Sequence, residues 1–403
     1  MSASSVFLFT FIFLFACGLL YKEGILDKNS RLIALIFFLT IAFAVRLPLM
    51  SHSTTDYEHF LAQWVQHFRI HGFEGLATIY SNYNVPYLYI LALFACIPMD
   101  DMYLIKCLSI FFDVILAWSA SKIVLYYTRS KNKQAAAFIL VMLLPTVVLN
   151  GACWGQCDSI FASFCLLAFY HGVQGKGKLS YLHGALALAF KVQAVFLLPV
   201  YGVLLLMNKI KLKDAWIFPL VFVGSLLPAV AAGRPFMDAL TIYIDQVGGT
   251  TSSLNFNSAS IYALIPYGYE ADWLLYADAI GIALAIAIVY TTLLWPYARY
   301  KSVTKHTLFG FGCMLALGIP MVLPHMHERY FFLGDIFTLM LGVISPIFAP
   351  AALLCQFGSL LGYHAYLKNE FLLLMNNGTY AMLAAFLLIC IYTHKTYKLN
   401  GEL

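Results

Sequence analysis

Stretches of about 17 to 25 mostly apolar residues recur from end to end of the chain, each closed by a short polar or basic loop. This is the pattern of helices that cross a bilayer, where every backbone polar group must be satisfied inside its own segment. Spans are predicted over 4–21, 32–49, 103–126, 135–151, 158–172, 180–208, 214–232, 272–296, 307–323, 331–346, 351–366 and 379–393. The stretch 180–208 reads as a hairpin of two short helices with its tip near Lys191. The expectation is an all-α polytopic transmembrane bundle of about 11 to 13 spans, in a single domain.

Two segments depart from this pattern. Over Asp56–Ile70 the residues Tyr57, Phe60, Leu61, Trp64, Val65 and Phe68 repeat at the spacing of one helical face, with Glu58, Gln63, Gln66, His67 and Arg69 opposite. An amphipathic helix this polar is expected to lie in the membrane interface. The run Pro86–Met99 is short for a span and is read as re-entrant or interfacial.

Composition agrees with the membrane class. Of 403 residues, 62% are hydrophobic and 11% charged, with a mean hydropathy of +0.81, too few polar residues to cover a water-soluble fold. Residues 4–21 lack a basic start and a small-residue cleavage site, so a retained helix is expected there. The nine cysteines are scattered, mostly within apolar runs, and indicate neither a disulfide framework nor a metal site.

The net charge of +5 is informative through its distribution. Lys22, Lys28 and Arg31; Arg129, Lys131 and Lys133; Lys176 and Lys178; Lys209, Lys211 and Lys213; Arg299, Lys301 and Lys305; and Lys395 and Lys398 form six loops that the positive-inside rule places in the cytoplasm. That distribution sets a topology and suggests no nucleic-acid partner. The segments 50–102, 233–271 and 324–330 then fall outside, together with 152–157, the tip near Lys191 and 367–378, and their polar motifs share one face.

Four constellations on that face break otherwise apolar sequence, where ionisable groups are costly enough to suggest function. In Thr54-Thr55-Asp56-Tyr57-Glu58, Asp56 is a candidate, although Thr55 or Asp56 also suits an N-cap. In Trp154-Gly155-Gln156-Cys157-Asp158-Ser159, the indole and the amide suit a sugar. Capping by Asp158 and interfacial anchoring by Trp154 remain equally open. Lys191, in Phe190-Lys191-Val192-Gln193, lines a cavity if the hairpin tip reaches the outer face, or else snorkels. In Pro324-His325-Met326-His327-Glu328-Arg329-Tyr330, the spacing of the two histidines does not match the helical zinc motif, whereas Arg329 with His325 and His327 suits a phosphate. Arg234 in the long outer loop either joins them or only marks a helix end.

These motifs, in this order, resemble the GT-C superfamily of membrane glycosyltransferases, in particular bacterial members that use polyprenyl-phosphate sugars. The triplet His327-Glu328-Arg329 is similar to the His-Glu-basic signature of the dolichyl-phosphate-glucose transferases. The resemblance extends over nearly the whole chain. It implies an acidic catalytic base in the first external loop, which by position is Asp56. It also implies donor-phosphate binding by Arg329, His327, His325, Lys191 and Arg234, and sugar or acceptor binding by Glu58, Trp154, Gln156, Asp158 and Glu328. Many relatives carry a paired acidic motif where this chain has Asp56 and Glu58, so a divalent metal is compatible with the site but not indicated, and no cofactor is called for.

The expected reaction is inverting transfer of a sugar from a polyprenyl-phosphate donor to a glycan or lipid-linked acceptor outside a bacterial plasma membrane. The loop containing Gly248-Gly249-Thr250-Thr251-Ser252-Ser253 is expected to help roof the site. No P-loop appears, in keeping with a donor activated on lipid. The alternatives are a flippase or transporter for a lipid-linked glycan, which would usually carry an internal repeat that is not found between the halves, and an oligosaccharide polymerase.

Overall fold

The computed structural model describes residues 2–25, 29–249, 253–266, 268–295, 298 and 303–397. Among the basic-loop residues, Lys28, Arg299, Lys301 and Lys398 lie outside the described residues, as do 250–252 of the Gly-Ser-Thr loop. The helices run in the order α1 (Ala3–Lys22), α2 (Asn29–Ala44), α3 (Ala62–His71), α4 (Val85–Ala95), α5 (Asp101–Thr128), α6 (Lys131–Leu143), α7 (Pro145–Val148), α8 (Asp158–Val173), α9 (Gly177–Phe190), α10 (Pro199–Leu206), α11 (Ile217–Ala231), α12 (Phe236–Gly249), α13 (Glu270–Val289), α14 (Lys305–Val322), α15 (Phe332–Ile344), α16 (Ala349–Lys368) and α17 (Met375–Thr396). Among the described residues the only strands are β1 (Asn255–Phe256) and β2 (Met326–His327), a parallel pair in which Asn255 faces Met326 and Phe256 faces His327. The protein is an all-α polytopic bundle, as the apolar blocks predict.

Among the described residues, eight helical segments are long and apolar enough to cross a membrane, or nine if the bent pair Lys131–Leu143 and Pro145–Trp154 is one span. The bend of 50° has a local cause. Pro145 has no N–H to give and holds Leu144 in an extended conformation (φ −61°, ψ 123°), so the helix must restart. The expected count of 11 to 13 therefore includes helices that are short of a full span. α8, α9 and α15 have 16, 14 and 13 residues, a rise of only about 20 to 24 Å against roughly 30 Å of hydrocarbon.

The basic loops gather at one end of the bundle. Lys122 pairs with Glu23 at 3.0 Å, Lys131 bonds to the Glu23 carbonyl, Lys133 to the Ile344 carbonyl at 3.0 Å, and Thr304 to the Thr396 carbonyl at 3.0 Å. The four polar constellations lie at the opposite end.

At that site end, a π turn (Tyr57–Leu61) leads into α3, whose Trp64, Val65 and Phe68 are buried together with Leu61. Phe60 stays on that side, its ring centroid 6.1 Å from that of Trp64, but is 47% exposed. α4, at 11 residues, is too short to span. Asn84 at its start caps the helix and donates to the Ala189 carbonyl at 2.9 Å, beside the α9 tip. Just past its other end, Asp101 pairs with Arg69 of α3.

The bundle also holds a fully buried ion pair. Arg46 meets Asp113 of α5 at 3.0 Å, and the same guanidinium donates to the carbonyls of Ala42 and Met142. Ser159 donates to the other Asp113 oxygen.

Candidate functional site

Asp56 lies inside the first helical turn (φ −63°, ψ −37°) and its carboxylate makes no capping hydrogen bond. Thr54 supplies that cap instead, its Oγ1 accepting from the Tyr57 N–H at 3.4 Å. The Asp56 carboxylate is thereby free to turn inward. Its Oδ2 accepts from Trp154 Nε1 at 2.9 Å and from Gln156 Nε2 at 2.8 Å. Its backbone N–H donates to the Tyr366 hydroxyl at 3.1 Å.

The Trp154 segment reaches Asp56 because the helix widens into a π turn (Leu149–Trp154) and then stops at Gly155, whose φ of 77° only glycine adopts cheaply. Trp154 is fully buried, stacked on Tyr366 with ring centroids 4.0 Å apart and edge-on to Tyr363. It is therefore not an interfacial belt residue. Gln156 is held from both sides, accepting from the Tyr83 hydroxyl at 3.2 Å and giving its carbonyl to Ser109 at 2.7 Å.

Lys191 occupies an extended break (φ −155°, ψ 135°) between α9 and a 3-10 turn, at the hairpin tip. Its ammonium pairs with Asp158 at the start of α8 and lies within 6 Å of the Tyr83 and Phe161 ring centroids, at 5.9 and 5.8 Å. No interface is needed to receive it, so the snorkelling alternative falls away. Asp158 also accepts from Asn150 at 2.8 Å, which makes it the counter-charge of the cavity rather than a helix cap.

Arg329 sits between these groups. Its Nη1 lies 3.3 Å from Glu328 and 3.7 Å from Asp56, its Nε lies 3.9 Å from Asp158, and the guanidinium carbon stands 5.3 Å from the Trp154 ring centroid. Nε is buried without a hydrogen-bond partner. A guanidinium flanked by three carboxylates but not bidentate to any has donors to spare for an anion.

The loop that carries Arg329 is shaped by the β1–β2 pairing, which stacks the His327 ring on Phe256 with centroids 4.5 Å apart. Burial, with Arg329 and Lys191 nearby, pushes His327 down to about 3. It can donate a hydrogen bond but adds no second positive charge at neutral pH. Burial pushes Glu328 up to about 7 against the pull of Arg329, with Asp56 and Asp158 adding to the rise.

Asp56, Gln156, Lys191, His327 and Arg329 line one cavity of about 190 Å³ together with Tyr83, Tyr330, Tyr366 and the Phe60–Leu61–Trp64 side of the interfacial helix. Trp154, Asp158 and Glu328 do not line it but stand behind it, against Asp56, Lys191 and Arg329; three further expected members lie elsewhere. Arg234 is buried outside the cavity, its Nε and Nη2 donating to the carbonyls of Leu76 (3.1 Å) and Thr78, where it fastens the turn before α4. His325 is spent on the Ser253 carbonyl and on Asp278, 3.1 Å away on α13. Glu58 is exposed and accepts from Ser53 at 2.7 Å on the outer side of the helix. These corrections leave Lys191, Arg329 and His327 as the phosphate candidates.

Tyr83, Tyr363, Tyr366 and Asn150 were not singled out in the sequence. Tyrosines are common among the 26 in this chain and carry no spacing signal, whereas Asn150, a lone amide within an apolar run, was visible on the same argument that selects Lys191. Among the described residues no group of three or more His, Cys, Asp or Glu side chains is placed to hold a metal ion. Compared with known proteins, the chain matches no family model and no curated sequence.

Proposed function

We propose that the protein is a glycosyltransferase that moves a sugar from a polyprenyl-phosphate donor to a glycan or lipid-linked acceptor, with the cavity on the non-cytoplasmic side of a bacterial plasma membrane. The observation that carries this reading is the convergence of Asp56 with Arg329 and Lys191 on one cavity. A carboxylate beside two buried cations is the minimal set for displacing a phosphate by a hydroxyl.

In this reading Arg329 and Lys191 hold the phosphate and offset the charge that builds on it as the glycosidic bond breaks. Asp56 accepts the proton of the acceptor hydroxyl as its oxygen attacks the anomeric carbon from the opposite side, inverting it. Trp154 and Gln156 take two of the lone-pair sites of that carboxylate and fix its direction, leaving others for the acceptor. The described basic residues at the end opposite the cavity support the assignment of that end to the cytoplasm.

The test is a reconstituted reaction without any membrane gradient. Purified protein given a polyprenyl-phosphate sugar and an acceptor glycan should release polyprenyl phosphate. Movement of an intact lipid-linked glycan across the membrane with no such release would instead support the transporter reading.

A further inference from the structure

The cavity carries a charge imbalance that phosphate binding has to resolve. Asp56, Asp158 and Glu328 bring three carboxylates against the two cations Lys191 and Arg329, and the neutral His327 contributes none. A bound anion would deepen that excess. Among the three, Glu328 has the weakest support: its side chain is 2% exposed, with Arg329 Nη1 at 3.3 Å and His327 Nδ1 at 4.0 Å. Asp56 and Asp158 keep neutral donors, from Trp154 and Gln156 and from Asn150, when Arg329 is taken away.

Resting on the phosphate reading above, we infer that Glu328 is the positioning residue that releases Arg329 to the incoming anion. In the empty cavity its carboxylate holds Nη1, and when a phosphate claims the guanidinium the carboxylate takes up one proton from solvent. Glu328 thereby passes from carboxylate to acid, and a singly charged phosphodiester enters with no net change in the charge of the cavity.

The surroundings leave Glu328 no other way to be neutralised. Arg329 and His327 face it from its own loop, and the charges brought by the first helical turn and by α8 are Asp56 and Asp158, both of its own sign. α16 meets it at Gly362, where a Cβ would stand 2.8 Å from the Glu328 Cβ, and its titratable groups at the site, Tyr363 and Tyr366, bond to Asn150 and to the Asp56 N–H. β1 engages only the Glu328 N–H, through the Phe256 carbonyl at 3.0 Å. Glu328 already sits near 7 with Arg329 beside it, and losing that partner moves it further up, so the proton is taken at neutral pH.

The experiment is calorimetric binding of a short-chain prenyl methyl phosphate, a diester whose single charge does not change over the range used. At about pH 7.5, in two buffers of different ionisation heat, the wild-type protein should take up about three-quarters of a proton per ligand, the share of Glu328 still ionised before binding. Its Kd should be flat below about pH 6 and weaken by up to roughly tenfold per pH unit above about 7. Glu328→Gln should bind without uptake and without that slope, while Glu328→Asp, which keeps an acid, should retain uptake. If the Gln variant does not fold, the wild-type uptake and the Asp variant decide. Diester binding with no proton uptake would overturn the inference and leave the phosphate site standing, whereas a folded wild-type protein that binds no diester at any pH would remove both.

Discussion

Asp56 and Trp154, 98 residues apart in the chain, are joined by a 2.9 Å hydrogen bond from the indole N–H to the carboxylate. The bond ties the interfacial helix to the end of the broken span and fixes the direction of the proposed base. Trp154→Phe removes the N–H while keeping an aromatic ring against Tyr366. A hydrogen bond to a charged group contributes about 1.5–3 kcal/mol, so turnover should fall by at least about tenfold. Donor binding should change little. A fall in donor affinity with unchanged turnover would assign Trp154 to the ground state.

Arg329 tests the anion site. Arg329→Ala should weaken donor binding by roughly 10²-fold, the scale of a charge-assisted, desolvated pair. Arg329→Lys should recover little of it, because a point charge does not reproduce the planar fork. The readout is the Kd for the same lipid-phosphate donor, and wild-type affinity in both variants would take Arg329 out of the site.

Much of this arrangement was legible in the sequence, and the reasons are specific. Basic loops and apolar blocks gave the bundle and placed 54–58, 154–159, 191–193 and 324–330 at one end, since a long buried helix leaves little freedom in where its ends emerge. Which side chains at that end turn inward was not legible. Arg234, His325 and Glu58 share the face with Asp56, yet local backbone carbonyls, Asp278 and Ser53 claim them. Those partners depend on loop conformation, which carries no periodic signal.

Glu328 should leave a signature in stability. Its folded value near 7 lies above the ordinary 4.5, so the folded protein binds its proton more tightly than the unfolded chain. Stability from this group is full below about 4.5 and is lost as pH rises to about 7. Glu328→Gln removes the dependence. Relative to wild type the variant should gain on the order of 2–3 kcal/mol between those limits, read from paired denaturation curves in detergent. A constant difference across that window would contradict the buried placement of the carboxylate.

The buried pair of Arg46 and Asp113 makes a prediction apart from the site. Removing one partner leaves an uncompensated charge among membrane helices, so Asp113→Ala should destabilise by about 3–5 kcal/mol. The joint replacement Arg46→Met with Asp113→Ala should recover much of that loss. Thermal unfolding in detergent separates the two, and a single variant as stable as wild type would mean that water or lipid headgroups reach the pair.

Turnover of Asp56→Asn, measured beside donor binding, decides whether the cavity works as proposed. Asn keeps the size and can still accept from Trp154 and Gln156, so the fold and the lipid-phosphate site should survive. It cannot take the hydroxyl proton at neutral pH, and positioned general-base help is typically worth about 10²- to 10⁴-fold. The account predicts a loss of that order in sugar transfer with donor affinity close to wild type. Transfer by Asp56→Asn at near the wild-type rate would contradict it.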